Sequence, residues 1–194
     1  MHTDPEALLR NIPRENALCF TGHRPEKLPQ GKMLAALLRA LYYRIDLAID
    51  AGLTCFYTGM ADGIDYEAAL YVFSRRRTNP ALRVVGVTPC SDYRTFYENH
   101  GYCMSHLWTL EQGVDLHITL PGTWRQAGVF LKRNRFMVDH SAAVIAVCRD
   151  GRSGSAQTLR YARSNGLAWC RLHPETDSGI PAAPPEWPSE QMGL

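Results

Sequence analysis

Short apolar runs alternate with longer helix-period runs along almost the whole chain, and nothing else in the sequence restricts the fold as much. Residues 17–21 form an apolar strand. Residues 31–51 follow as a helix, because Leu34, Leu37, Leu38, Leu41, Ile45 and Ala48 recur at helical spacing and give one buried face. Gly52 ends that helix as a C-terminal glycine cap. Residues 54–58 are a second strand and 64–76 a second helix, closed by Asn79-Pro80. The third strand, 82–88, has a continuous apolar centre of Val84, Val85 and Val87, which suits a parallel strand buried on both faces. Residues 93–111 read as mostly helical, with Gly101 as an interruption. Residues 114–120 alternate apolar and polar, which predicts a strand with one wet face near a sheet edge. A helix over 129–140, a strongly apolar strand over 142–148, a helix over 155–165 and a strand over 167–172 complete the series. Repeated strand–helix alternation predicts an α/β fold. The expectation is a Rossmann-like, doubly wound, mainly parallel sheet with helices on both faces.

The chain has 194 residues, 45% of them hydrophobic, enough for one domain with a sizeable core. Residues 17–173 are predicted to form that domain, after an N-terminal extension over 1–16. Beyond 174, Pro181, Pro184, Pro185 and Pro188 break any helix or ladder, so 174–194 read as a tail. Lysine and arginine number 21 against 19 acids, a net charge of +2. That balance argues against a nucleic-acid partner or an anionic membrane surface. No apolar stretch reaches the length of a membrane span, and the first fourteen residues lack the pattern of a signal peptide. Cys19, Cys55, Cys148 and Cys170 lie in apolar strand runs, and no CxxC pair occurs. Free, buried thiols in a reducing, cytoplasmic setting are expected.

Ligands of such sheets bind outside the carboxyl ends of the strands. The loops at that edge are Gly22-His23-Arg24-Pro25, Gly59-Met60-Ala61-Asp62-Gly63-Ile64-Asp65, Pro121-Gly122-Thr123-Trp124-Arg125 and Asp150-Gly151-Arg152-Ser153-Gly154-Ser155. Glycines allow close backbone approach. Helix N-termini offer free N–H groups to an anion. Arg24, Arg125, Arg149 and Arg152 can add full charges. The expectation is a pocket for a phosphorylated or nucleotide-like small molecule, with Gly22, His23, Arg24, Gly59, Gly63, Asp65, Gly151, Gly154 and Ser155 as its candidates. Asp62 and Asp65 have two readings, a helix N-cap or a carboxylate that accepts from ribose hydroxyls.

Four segments, in order, carry a family resemblance: Thr21-Gly22-His23-Arg24-Pro25; Thr58-Gly59-Met60-Ala61-Asp62-Gly63-Ile64-Asp65; residues 133–141 from Arg133-Asn134; and Gly151-Arg152-Ser153-Gly154-Ser155-Ala156-Gln157-Thr158 with Tyr161-Ala162. Together they resemble the YpsA-like branch of the SLOG superfamily, whose members are similar to the DNA-processing protein DprA and to the lonely-guy phosphoribohydrolases. The resemblance implies a Rossmann-like fold and a nucleotide-type ligand such as NAD, ADP-ribose or a nucleoside monophosphate. It adds Arg133, Asn134 and Thr158 to the candidates. It also implies a strand order with the first and fourth strands side by side, which would bring Gly22 next to the last glycine loop. Thr158 stands where the phosphoribohydrolases carry a glutamate, and cleavage through an oxocarbenium-like state calls for such a carboxylate. Non-catalytic or sensor-like nucleotide binding is therefore the leading reading. The alternatives are a nucleotide hydrolase using Asp65 or Glu67, and a DprA-like single-strand binder.

The remaining constellations read as structural. Asp139-His140-Ser141 holds triad residue types, but neighbours on a helix point apart. His100, Cys103 and His106 lack a further ligand for a metal. Arg75-Arg76-Arg77 suits a helix C-terminus. Trp108, Trp124 and Trp169 are expected in the core or a pocket wall, with Trp124 the one placed to stack on a base. An exposed edge strand could pair two copies as a homodimer.

Overall fold

The computed structural model describes Leu9, residues 12–149 and residues 151–175. Six parallel strands form one sheet: β1 (Ala17–Gly22), β2 (Cys55–Thr58), β3 (Arg83–Thr88), β4 (Leu116–Thr119), β5 (Ala143–Val147) and β6 (Ala168–Leu172), in the order β4-β3-β2-β1-β5-β6. The α-helices that follow β1 are α1 (Gly31–Asp50), α2 (Ile64–Arg75), α3 (Tyr93–Asn99), α4 (Met104–Gly113), α5 (Val129–Asp139) and α6 (Gly154–Ser164). The expected α/β, doubly wound, parallel architecture is what the chain adopts.

Side-chain alternation divides the core into two layers. Leu18 and Phe20 of β1, Phe56 of β2, Val84 of β3 and Ile145 and Val147 of β5 face α1 to α4. Cys19, Tyr57, Val85, Val144 and Ala146 face the opposite way, onto Met137 and Val138 of α5 and Leu159 and Ala162 of α6. Both faces of the central strands are thus covered, which is why they read as unbroken apolar runs. Each fully buried side chain of this size contributes about 1.5–3 kcal/mol.

The winding reverses beside β1. Strands β2, β3 and β4 build outward on one side, and the chain then crosses back to place β5 on the other. The fourth strand therefore sits at the sheet edge, and the fifth is the neighbour of the first. Leu18 pairs with Ala143 and Gly22 with Val147. The expected consequence survives this correction, because the loop after β5 does lie next to Gly22. The long helix expected over 93–111 is two helices. Gly101 has φ +66°, a conformation that favours glycine, and the break leaves Tyr102 and Cys103 between α3 and α4.

All six cysteines are free, and five are buried. Cys103 is exposed, against expectation. Trp108 and Trp169 are also exposed, at 59% and 43%, because each lies on the outer side of its element, away from the residues of that element that fill the core. Among the described residues no helix is long and apolar enough to cross a membrane, and no group of three His, Cys, Asp or Glu side chains could hold a metal ion. Most of the expected tail, 174–194, falls outside the described residues.

Candidate functional site

A cavity of about 230 Å³ opens at the carboxyl edge of the sheet, over the point where the winding reverses. Its floor is the end of β1. There the backbone N–H of His23 donates to Val147 O at 3.1 Å. The His23 ring is buried, and its Nε2 accepts the backbone N–H of Arg149 at 3.1 Å. A ring nitrogen that accepts carries no proton, so His23 is neutral with its proton on Nδ1. Burial, then the charges of Arg149 and Lys27, hold it below the usual histidine value. His23 thus ties the loop after β1 to the loop after β5.

Arg24 follows directly. Its guanidinium lies over the ring of Tyr102, 4.4 Å from the centroid, and near Phe96 at 5.5 Å. Its Nη1 is buried and has no hydrogen-bond partner among the described residues. A buried guanidinium nitrogen left without an acceptor is costly unless something supplies one.

The loop after β2 forms an underlayer. Met60 takes φ 56° and is fully buried, and its carbonyl accepts the Tyr97 hydroxyl at 2.9 Å. This bend turns the Gly59 N–H onto the carboxylate of Asp65 at 3.1 Å. The Arg133 guanidinium donates to Gly59 O and to Asn134 Oδ1. A Cβ at Gly59 would overlap that guanidinium and lie 2.6 Å from Asp65 Oδ2. Glycine is required here because two buried charged groups close on the backbone. Burial raises the Asp65 carboxyl, and the positive charges of Arg133 and Arg24 work against that rise. Asp62 is not a helix cap. It accepts from Gly63 N–H, Cys103 N–H and His106 Nδ1, at 2.9, 3.2 and 2.8 Å, and so fixes the linker between α3 and α4.

The far wall is the start of α6. Ser153 is the N-cap, and its hydroxyl accepts the Ala156 N–H at 3.2 Å. Asn134 Nδ2 donates to Thr158 Oγ1 and Thr158 donates to Gly154 O, both at 2.8 Å, so α5 holds the first turn of α6 in place. Nothing lies within 4 Å of where a Gly154 Cβ would be. The N–H groups of this first turn have no intrahelical partner and carry the positive end of the helix dipole.

The structure therefore brings Gly22, His23, Arg24, Asp65, Arg133, Asn134, Gly154 and Ser155 together around one cavity. The other four candidates stand behind it. Gly59 accommodates Arg133 and Asp65. Gly63, with φ +91°, admits the backbone of His23, whose carbonyl would lie 2.5 Å from an added Cβ. Thr158 is the buried link to Gly154, and the Gly151 carbonyl accepts from Arg160. Asp65 accepts from its own loop. Arg149 lies outside the cavity, paired with Glu175 at 2.6 Å, and Arg125 stacks on Trp124. Trp124 packs behind Phe96, at 5.9 Å between ring centroids, and does not face the cavity. Sequence reasoning missed Lys27 and an aromatic wall of Phe96, Tyr102 and Phe130. The cluster of aromatic residues over 93–102 was the available signal.

The sequence profile of the DNA recombination-mediator protein A family matches residues 40–177. A relative, the uncharacterized SPbeta prophage-derived protein YoqJ of Bacillus subtilis, is 29% identical over 133 residues, 62% of this chain and 77% of that protein. DNA processing protein A of Streptococcus pneumoniae superposes with a TM-score of 0.56 at 18% identity, over 84% of this chain and 53% of that one. The chain thus spans about half the length of that protein. DNA processing protein A of Helicobacter pylori, solved for its single-stranded DNA binding mode, superposes with a TM-score of 0.53 at 20% identity, over 87% of this chain and 68% of that one.

These relatives overturn the argument against a nucleic-acid partner. That argument rested on a net charge of +2, which is an average of unlike parts. Residues 176–194 hold Asp177, Glu186 and Glu190 and no lysine or arginine, so the remainder of the chain carries +5. With the profile covering well over half of its length, the chain belongs to the DNA recombination-mediator protein A family, within the SLOG superfamily.

Proposed function

We propose that the cavity binds the phosphate of a nucleotide unit presented by single-stranded nucleic acid, and that the protein acts by binding. The observation that carries this reading is Arg24, whose side chain lines the same cavity as the first turn of α6 and whose buried Nη1 has no hydrogen-bond partner among the described residues. A guanidinium fork and a helix N-terminus are both suited to phosphate oxygens. Family membership supports the strand as the source of that phosphate. Binding is favoured over hydrolysis because Asp65 is the one carboxylate among the described lining residues, and it already accepts from Gly59. The position of the hydrolase glutamate is Thr158, which is spent on Gly154.

Fluorescence anisotropy with labelled oligothymidylate, at two salt concentrations, tests the reading. A salt-sensitive complex is expected, weakened by Arg24→Met and by Lys27→Ala. Absence of any salt-sensitive complex refutes it. A free nucleotide-derived ligand (ADP-ribose, NAD or a nucleoside monophosphate) is the second reading, favoured by the place of the cavity at the carboxyl edge of the sheet beside the reversal of winding, where open α/β sheets bind small ligands. A rise in melting temperature with such ligands, and none with oligonucleotides, would select it.

A further inference from the structure

We propose that the cavity selects a terminal phosphate monoester, such as a phosphorylated strand end, over the internal diesters of a strand. This rests on the phosphate-binding reading above and concerns which phosphate the site takes.

The argument starts with charge. Among the described lining residues, the ionic side chains are Arg24, Lys27, Arg133 and Asp65. Arg133 and Asp65 converge on Gly59 from two sides and offset each other. Arg24 and Lys27 remain, and neither has an ion pair among the described residues. Glu26 neighbours Lys27 in sequence but does not line the cavity. Two uncompensated positive charges match a monoester, which carries about −1.5 to −2 at neutral pH. A diester carries one negative charge and would leave one cation unmatched.

Oxygen count points the same way. A monoester presents three terminal oxygens, a diester two. The cavity has three separate sets of donors: the in-plane N–H groups of Arg24, the ammonium of Lys27 and the free N–H groups of Gly154 and Ser155. Arg24 cannot easily turn away, because its face is stacked on Tyr102 and Phe96. Its fork is therefore directed in one plane.

The test is anisotropy on the full chain with dye-labelled oligothymidylates that differ only in their ends: 5′-phosphate, 3′-phosphate, or hydroxyl at both. The expected result is at least tenfold tighter binding of a phosphate-ended strand. Thymidine monophosphate should compete, and Arg24→Gln should remove the preference. A rise in melting temperature with thymidine monophosphate, together with no strand binding, would identify a free nucleotide as the source of the same monoester, and would still support the proposal. Equal, salt-sensitive binding of phosphate-ended and hydroxyl-ended strands overturns it while leaving the phosphate-binding reading intact. If neither strands nor mononucleotide bind, that underlying reading fails, and this one with it.

Discussion

One added methyl group at Gly22 should cost measurable stability. It ends β1, in register with Val147 of β5. A Cβ built there would overlap Ile64 Cβ and Cγ2 and lie 2.7 Å from Ile64 Cγ1. Carbon atoms pack at about 3.5–4.0 Å, so even the most distant of the three is roughly 1 Å too close. Neither side can yield cheaply. β1 is hydrogen-bonded along both edges, Ile64 is fully buried, and the Ile64 N–H donates to His23 O at 3.3 Å. Overpacking of this kind costs about 1–3 kcal/mol, and two constrained backbones place Gly22→Ala toward the upper end. For a chain of this length that is a fall of about 2–4 °C in Tm per kcal/mol. Urea unfolding followed by circular dichroism measures it directly. Ile64→Ala tests the geometry, because alanine removes the Cγ atoms and keeps the Cβ that makes the closest overlap. The cost of Gly22→Ala should therefore persist, reduced only in part, in the Ile64→Ala background. A Gly22→Ala protein within about 0.5 kcal/mol of wild type, the ordinary range of a surface change, would refute the reasoning. So would complete recovery in the double variant.

Three further outcomes are expected. His23 is held below the usual histidine value, so the unfolded chain binds its proton first; stability contributed by the neutral ring is complete above about pH 6.5 and falls as pH drops through the lower folded value. Urea midpoints across pH 5–7 should fall on acidification, and His23→Ala should flatten that slope; an unchanged slope would count against a neutral, accepting His23 ring. Cys103 is exposed, and the hydroxyl of Ser105, 3.0 Å away, lowers its thiol, whereas burial pushes Cys90 up to about 12; iodoacetamide with mass spectrometry should label Cys103 well before Cys90, and Ser105→Ala should slow that labelling. Asn134→Ala removes two hydrogen bonds, one to Thr158 and one from the Arg133 guanidinium, a loss of about 2–4 kcal/mol in stability, and it frees the first turn of α6; strand binding in the anisotropy assay should fall severalfold under conditions where the variant remains fully folded by circular dichroism.

The fold was legible because burial on both faces leaves a strand nothing to be but apolar. Val84, Val85, Val87 and the 142–148 run announced a parallel sheet before any strand order was available. The edge of the sheet that carries the cavity followed from the glycine loops. Less of the cavity itself was legible. Phe96, Tyr102 and Phe130 look in sequence like any core aromatic, since periodicity does not separate a wall from an interior. Gly59 and Gly63 look like ligand-approach glycines, yet what approaches them is Arg133, Asp65 and the His23 carbonyl. Asp65 looked free to receive a sugar because a sequence carries no distances, and its carboxylate turns back onto its own loop. Trp108 and Trp169 went the other way, onto the surface, because a hydrophobic residue type says less than its phase on the element.

The reversal of winding beside β1 also sets when the cavity can exist. The loops after β1 and β5 meet beside it at His23 and Arg149, which are 126 residues apart in sequence and hydrogen-bonded to each other. Strands β1 to β4 and their helices lie on one side of that seam, so they can assemble while the rest is still being made. β5 and α6 close the seam last. At a synthesis rate of about 5–20 residues per second, roughly ten seconds separate the appearance of the two halves of the floor. During that interval β1 has an unpaired edge and Arg24 has no opposing helix. A nascent chain should therefore complete the cavity abruptly, as the last third of the domain emerges. Until then, the unpaired side of β1 is where a misdirected strand would most readily pair.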